Sequence, residues 1–356
     1  MTSVLTTDTV PAHKVPRPAQ NVYDAGIELA QQEGSPPVKV MMTPREHIWP
    51  AITPDQMERL LAAGATEVIV AEDHQSRVNG IRDCDVLIGI IDEDMLENAG
   101  RLRWMQSLSS GVDMFLFPAF VESDIVLTSE KGLVGPHLAD HAFGLLLTLT
   151  RSIAWATRLR KWDKRLEMRL TNRELTGMTA GLIGLGGTGV AVAERAHAFG
   201  MYCLAIDPDV TEGPAGVEIL GGPDKLVDMA SRSDVLFVCC PKTDETFGMV
   251  NSEVLDAMPD GSYLINVTRG GIVDEAALIA AIESGKLTGA GLDVVAEEPL
   301  PDDNPLWSYD QIIITPHTAG ASQFRIGRII DRVCTNLEHL SNDEPLEGVI
   351  DKRKGY

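Results

Sequence analysis

The sequence predicts an α/β protein of two doubly wound, parallel-sheet domains with a cleft between them. Three observations carry that expectation. From Val38 onward, short apolar runs alternate with helical patterns, which points to βαβ units and mainly parallel sheets. A glycine-rich turn, Gly184-x-Gly186-x-x-Gly189, joins an apolar run to a helical pattern. Arg269, Glu298 and His317 each lie just past an apolar run of the second series. Open parallel sheets bind ligands there, outside the carboxyl ends of their strands.

Residues 1–36 read as a proline-broken N-terminal extension, with a short helix near 23–32 and no apolar signal segment. The first strand series follows at 38–42, 67–71, 85–89, 102–108 and 124–128, with a helix over 54–63. It contains no glycine-rich phosphate loop. A long helix is expected from about His137 to Trp162, because Leu138, His141, Leu145, Thr148 and Leu149 recur at helical spacing. The second series reads as strands at 180–185, 202–206, 235–240, 263–268, 290–294 and 312–315. Six strands complete a doubly wound dinucleotide domain. A helix over about 322–340 ends the pattern. The roughly forty residues beyond the second series are too few for an independent core, so they are expected to pack back on the first region. The division is therefore 37–135 with 318–356 against 136–317.

The 356 residues hold 30 Lys and Arg against 52 Asp and Glu, a formal net charge of −22. So acidic a surface repels nucleic acid and anionic membranes. The basic stretch at 151–173 reads instead as a solvated helix face or a subunit contact. Five cysteines without a Cys-x-x-Cys spacing read as reduced core thiols. His137 and His141 are spaced as a metal pair, but no third ligand is near in sequence, so cap and packing roles fit better and no metal is expected. No apolar run reaches spanning length. The expected location is cytoplasmic.

The glycine turn has a physical logic. Gly184 permits the tight turn, Gly186 lets backbone approach a pyrophosphate, and Gly189 lets helix and strand pack closely. The helix start that follows offers free N–H groups and a positive dipole end to phosphates. Asp207 closes the next strand about twenty residues on, where a carboxylate accepts hydrogen bonds from ribose hydroxyls. Asp209 adds negative charge, and no Arg or Lys follows closely. NAD is therefore expected in preference to NADP.

Over 38 to about 346, the chain resembles the D-isomer-specific 2-hydroxyacid dehydrogenases. The most specific stretches are 181–189, Leu264-Ile-Asn-Val-Thr-Arg-Gly-Gly-Ile-Val-Asp-Glu275, Gly291-Leu-Asp-Val-Val-Ala-Glu-Glu-Pro-Leu300 and Thr315-Pro-His-Thr-Ala-Gly320. Ser110-Gly-Val-Asp113, Ala139-Asp-His-Ala142 and Pro241-Lys-Thr-Asp-Glu-Thr246 support them. The resemblance implies a Rossmann cofactor domain, a flavodoxin-like substrate domain and an active site in the cleft. It casts His317 as the general acid/base, Glu298 as its carboxylate partner and Arg269 as the clamp on the substrate carboxylate and carbonyl. Glu297 is the less fitting neighbour. Ser109, Ser110 and Gly111 would offer backbone amides to the substrate. The cofactor would meet Gly184, Gly186, Gly187, Thr188, Gly189, Asp207, Cys240, Pro241, Thr246, Thr268 and Asp293, the last near the nicotinamide end.

The implied activity is NAD(H)-dependent interconversion of a small 2-keto acid and its D-2-hydroxy acid, with glyoxylate or hydroxypyruvate leading. A homodimer contact through the 137–162 helix is also implied. Ser109-Ser110-Gly111 stands where the family often carries Gly-Ala-Gly. Met114, Phe115 and Phe117 follow it as pocket or core residues. No regulatory domain is expected after Leu346, which counts against the larger phosphoglycerate dehydrogenases. Glu298 counts against a formate dehydrogenase, which pairs its histidine with Gln. Phosphite dehydrogenases keep the same three residues. The rival of another class is an NAD(H)-sensing protein like the C-terminal-binding corepressors.

Overall fold

The computed structural model describes residues 38–46 and 48–356, so the 1–36 extension and the helix expected near 23–32 lie outside it. The first sheet holds β1 (Val38–Met42), β2 (Ala65–Val70), β3 (Val86–Gly89), β4 (Trp104–Ser107) and β5 (Val126–Thr128). All are parallel, in the order β2-β1-β3-β4-β5. The second sheet holds β6 (Thr179–Ile183), β7 (Tyr202–Ile206), β8 (Val217–Gly221), β9 (Val235–Val238), β10 (Ser262–Asn266), β11 (Leu287–Leu292) and β12 (Ile312–Ile314). These too are parallel, in the order β12-β11-β10-β9-β6-β7-β8. Each sheet reverses its strand order once, at β1/β3 and at β6/β9, and ligands favour such switch points.

One strand more than expected stands in the second sheet. β8 pairs with β7 alone and is mostly half-buried, with Glu218 exposed. As an edge strand it needs no continuous apolar run, which is why its sequence gave little signal. The inner strands β3, β4, β9 and β10 are buried at every position, so they read as apolar runs.

Helices cover both sheets. Pro54–Ala62 starts on a capping box, in which Thr53 and Gln56 satisfy each other's end of the first turn. Gly135–Thr150 lies across the second sheet, so close that a Cβ on Gly289 or Gly291 of β11 would sit 2.8 Å from Leu149 or 2.7 Å from Leu145. Small residues in a strand mark such close approach. The single helix expected over 137–162 is not formed. It stops at Thr150; Ser152 takes a left-handed φ of 55°, Ile153–Leu159 forms a separate helix, and Arg160 turns again at φ 46°. The returning chain seals the break: the Arg173 amide donates to Thr150 O at 2.8 Å, and the Arg151 guanidinium donates to Arg173 O at 3.0 Å.

The Arg325–Ser341 helix buries Ile329, Ile330, Val333 and Leu337 in one core with Val38, Val40, Leu60, Val86 and Trp104 of the first sheet's side. At its start, Arg325 donates to both oxygens of the buried Glu130 carboxylate at 3.0–3.1 Å. Burial pushes the Glu130 carboxyl up, against the opposing pull of Arg325. Cys84, Cys203, Cys239 and Cys240 are buried free thiols. Among the described residues, no helix is long and apolar enough to cross a membrane.

Candidate active site

The carboxyl ends of the second sheet's strands gather the polar residues. β6 runs into Gly184, β7 into Asp207 and β9 into Cys240. β10 runs into Thr268 and Arg269, β11 into Asp293, and β12 into Thr315 and His317.

The glycine turn has the shape a dinucleotide phosphate needs. Gly184 adopts φ 94°, and a Cβ there would stand 3.0 Å from the Cys240 backbone across the switch point. That conformation favours glycine, and the space leaves little room for a Cβ. Gly186 is the N-cap of the Gly187–Ala198 helix, carries no side-chain cap bond and has nothing within 4 Å of a built Cβ. The first amides of this helix thus have no side-chain cap, as an anion site requires. A Cβ on Gly189 would collide with Gly184 O, and one on Gly187 would approach Gly132 at 2.9 Å. Thr188 is buried. Asp207 ties the turn to β7: one oxygen accepts from the Leu185 amide at 2.8 Å, the other from the Asp209 and Val210 amides at 2.9 and 3.1 Å. The oxygen bonded by the Leu185 amide retains lone-pair capacity for a ribose hydroxyl. The backbone and donor set thus fit a dinucleotide.

Further along the rim, Thr246 donates to Pro241 O at 2.8 Å, closing the 241–246 turn. Burial pushes the Cys240 thiol up to about 12, so it packs as an inert group. Asn266 arranges the β10 end: its side chain accepts from the Thr268 amide at 3.2 Å and donates to Arg269 O at 2.9 Å.

His317 and Glu298 form a short polar contact, Nδ1 to Oε2 at 2.6 Å. The other Glu298 oxygen accepts from the Val295 amide at 3.2 Å, so the carboxylate is fixed from behind. His317 holds a left-handed φ of 51°, and its amide donates to Asp293 O at 2.8 Å. A non-glycine residue in that region costs free energy, and such strain concentrates at functional sites. Glu297 is exposed.

Asp293 anchors this corner. Its side chain accepts from Thr315 Oγ1 at 2.6 Å and from the Thr318 and Ala319 amides at 2.9 and 2.8 Å. Burial alone would raise its carboxyl; the bonds from His141, Thr315 and the two amides outweigh burial and hold it below the ordinary carboxylate range. Thr315 spends its one proton on Asp293. The 2.8 Å contact from His141 Nε2 to Thr315 Oγ1 therefore requires the ring to donate. His137, one turn earlier, accepts from Arg328 at 3.4 Å; burial, with Arg325 and Arg328, lowers it to about 4. The two rings thus have different partners.

Arg269 reaches across to the first sheet. Its Nη1 donates to Thr268 O at 2.8 Å, its Nε lies 3.4 Å from Asp113, and a Cβ on Gly111 would collide with the guanidinium. Gly111 belongs to the loop after β4. There Ser107 Oγ accepts from the Ser109 amide at 3.1 Å, and Ser109 Oγ donates to Gly111 O at 2.6 Å. Arg325 braces that loop through Leu108 O at 3.1 Å. Ser110 lies between these contacts in the same loop. Phe115 is core, Phe117 packs against that core, and Met114 is exposed. The structure therefore brings together Arg269, the 109–111 loop, and the Glu298–His317 pair with Asp293. Reasoning from sequence missed Asn266, Thr315 and Asp113, although all three sit within the motifs of the resemblance.

Residues 143–319 match the family model described as D-isomer specific 2-hydroxyacid dehydrogenase, NAD binding domain. The chain is 38% identical over 253 residues to a D-3-phosphoglycerate dehydrogenase of Archaeoglobus fulgidus, covering 69% of this chain but only 47% of that protein. It is 33% identical over 271 residues to a glyoxylate reductase of Korarchaeum cryptofilum, covering 73% of this chain and 80% of the relative. Among solved structures, a D-isomer specific 2-hydroxyacid dehydrogenase from Xanthobacter autotrophicus Py2, in complex with NADPH and MES, superposes with a TM-score of 0.76 at 26% identity. That match covers 91% of this chain and all of the other.

Proposed function

The chain belongs to the D-isomer-specific 2-hydroxyacid dehydrogenases, and we propose that it interconverts a small 2-keto acid and its D-2-hydroxy acid with NAD(H), in preference to NADP(H). The observation that carries this reading is the 2.6 Å His317–Glu298 contact at the strand ends that also hold Arg269 and the glycine turn. Glyoxylate and hydroxypyruvate are the leading substrates, in line with the glyoxylate reductase relative.

A bound nicotinamide cofactor would be held by the glycine turn, Asp207 and Asp293, and would supply hydride for reduction at the carbonyl carbon. Negative charge then develops on the carbonyl oxygen, and a proton must follow. Arg269 binds the substrate carboxylate and faces the oxygen with a fixed cation, which is most effective in a site closed to water. The 109–111 loop offers backbone amides to the same carboxylate. Glu298 accepts from His317 Nδ1 and so fixes the ring's orientation and tautomer. Nε2 is left to deliver the proton to oxygen, and to remove it in the reverse direction. Asp293, fixed by Thr315 and two amides, would hold the nicotinamide end. Asp207 takes the ribose hydroxyls, and with Asp209 it disfavours a 2′-phosphate. A cytoplasmic homodimer completes the reading.

The test is NADH oxidation by the full chain against glyoxylate, hydroxypyruvate, pyruvate and phenylpyruvate, with NADPH in parallel. Turnover of one or more keto acids is expected. His317→Ala is expected to lower kcat by ~10²–10⁴, the usual worth of a positioned acid/base, with NADH binding intact. Undiminished activity in that variant would remove His317 from its role. NADH binding without turnover of any keto acid would favour the sensor or phosphite readings.

A further inference from the structure

The turn at 351–356 crosses from the first sheet's side to the cofactor side. Its base is firmly held. Lys352 Nζ donates to the carbonyls of Phe120, Ser123 and Ile125 at 2.9, 2.6 and 3.0 Å and stands 5.0 Å from the Phe120 ring. Asp351 accepts from the Arg353 and Lys354 amides at 2.9 and 3.1 Å, and Arg353 pairs with Glu122 at 3.0 Å. From that base the tip reaches Asp209: Lys354 Nζ lies 3.3 and 3.5 Å from its two oxygens, and the Tyr356 hydroxyl donates to one at 3.2 Å.

Asp209 is two residues past Asp207, and its amide bonds the Asp207 carboxylate at 2.9 Å. The ammonium of Lys354 therefore stands beside the turn where the ribose 2′ position is read. In dinucleotide domains, a carboxylate at this point binds the 2′-hydroxyl, and a nearby cation accommodates a 2′-phosphate. The stretch 207–216 contains no Arg or Lys of its own. The cation comes instead from far along the chain, on a turn anchored to the other sheet's side. As a stabilising pair the contact has little to offer, since both side chains are 51% exposed. A phosphate dianion would outbid the single carboxylate of Asp209 for the same ammonium.

We propose that Lys354 is a specificity-determining residue for the cofactor: it neutralises Asp209 and offers an ammonium to a 2′-phosphate, so that the chain accepts NADPH beside NADH. The inference rests on the reading that this chain binds a nicotinamide dinucleotide. Asp207 and Asp209 tilt the site toward NADH, and Lys354 limits how far.

The experiment is fluorescence titration of the full chain with NADH and with NADPH, for the wild type, Lys354→Ala and Lys354→Arg. Lys354→Ala is expected to weaken NADPH binding roughly tenfold, the worth of one hydrogen bond to a charged group, and NADH binding by less than about twofold. Lys354→Arg keeps the cation and is expected to keep NADPH affinity. Equal weakening of both cofactors, an unchanged NADPH/NADH ratio, a wild type that binds NADH alone, or the same NADPH loss in Lys354→Arg would each overturn the proposal. A wild type that binds neither cofactor would overturn the nicotinamide reading itself.

Discussion

Gly111 shows how a residue without a side chain governs one with a large one. The Arg269 guanidinium occupies the space where a Cβ at 111 would stand, held there by Thr268 O and Asp113. Gly111→Ala is expected to push the guanidinium out of line and lower kcat/KM by on the order of 10², the scale of a 1 Å misplacement. NADH affinity should be unchanged, because Gly111 lies on the first sheet's side of the cleft. Steady-state kinetics with the best keto acid decides it, and near-wild-type kcat/KM would show that Arg269 moves without consequence. At this scale the sequence was most legible where signals are local. The glycine turn, Asp207 and the three charged residues each follow a strand that its own apolar run announces. The His141–Thr315–Asp293 relay was not legible, because His141 and Thr315 lie 174 positions apart and only the fold brings them to 2.8 Å.

The same distinction governs the elements. Fully buried parallel strands were readable from composition, whereas β8 was not, since an edge strand needs no apolar run. The break at Ser152 escaped notice because no Gly or Pro marks it; tertiary bonds from Arg173 and Arg151 impose it. The start of the Arg325–Ser341 helix depends likewise on a distant partner, Glu130, whose side chain is 1% exposed. Arg325→Met leaves that carboxylate buried without its cation. The expected cost is about 3–5 kcal/mol of unfolding free energy, the usual penalty for breaking a buried pair. Replacing both residues, as Glu130→Leu with Arg325→Met, removes the stranded charge and is expected to recover part of that loss. Urea denaturation of Arg325→Met, Glu130→Leu and the double variant tests the coupling, and strictly additive losses would show that the pair does not act as a unit.

Across the whole molecule, the alternation of runs and helices sufficed for two parallel α/β sheets, because each βαβ unit is a local pattern repeated. A contact with a second copy is a different kind of information, which the surface carries. Trp162, Leu166 and Leu170 recur every four residues and are 84%, 69% and 71% exposed. Ile153, on the preceding short helix, is 47% exposed. Apolar side chains of this size grouped on one segment mark an interface more often than a solvated face. They lie within the 151–173 basic stretch, whose Arg and Lys residues suit the rim of a contact with a copy as acidic as this one. A second copy of the chain, related by a two-fold axis so that each stripe meets its own equivalent, is the expected occupant. Sedimentation at micromolar concentration is expected to give twice the chain mass. Trp162→Glu combined with Leu166→Glu buries charge in that contact and is expected to give monomers that retain the fold. A wild type that sediments as a monomer would leave the stripe unexplained by self-association, and a double variant that still dimerises would move the contact elsewhere on the surface.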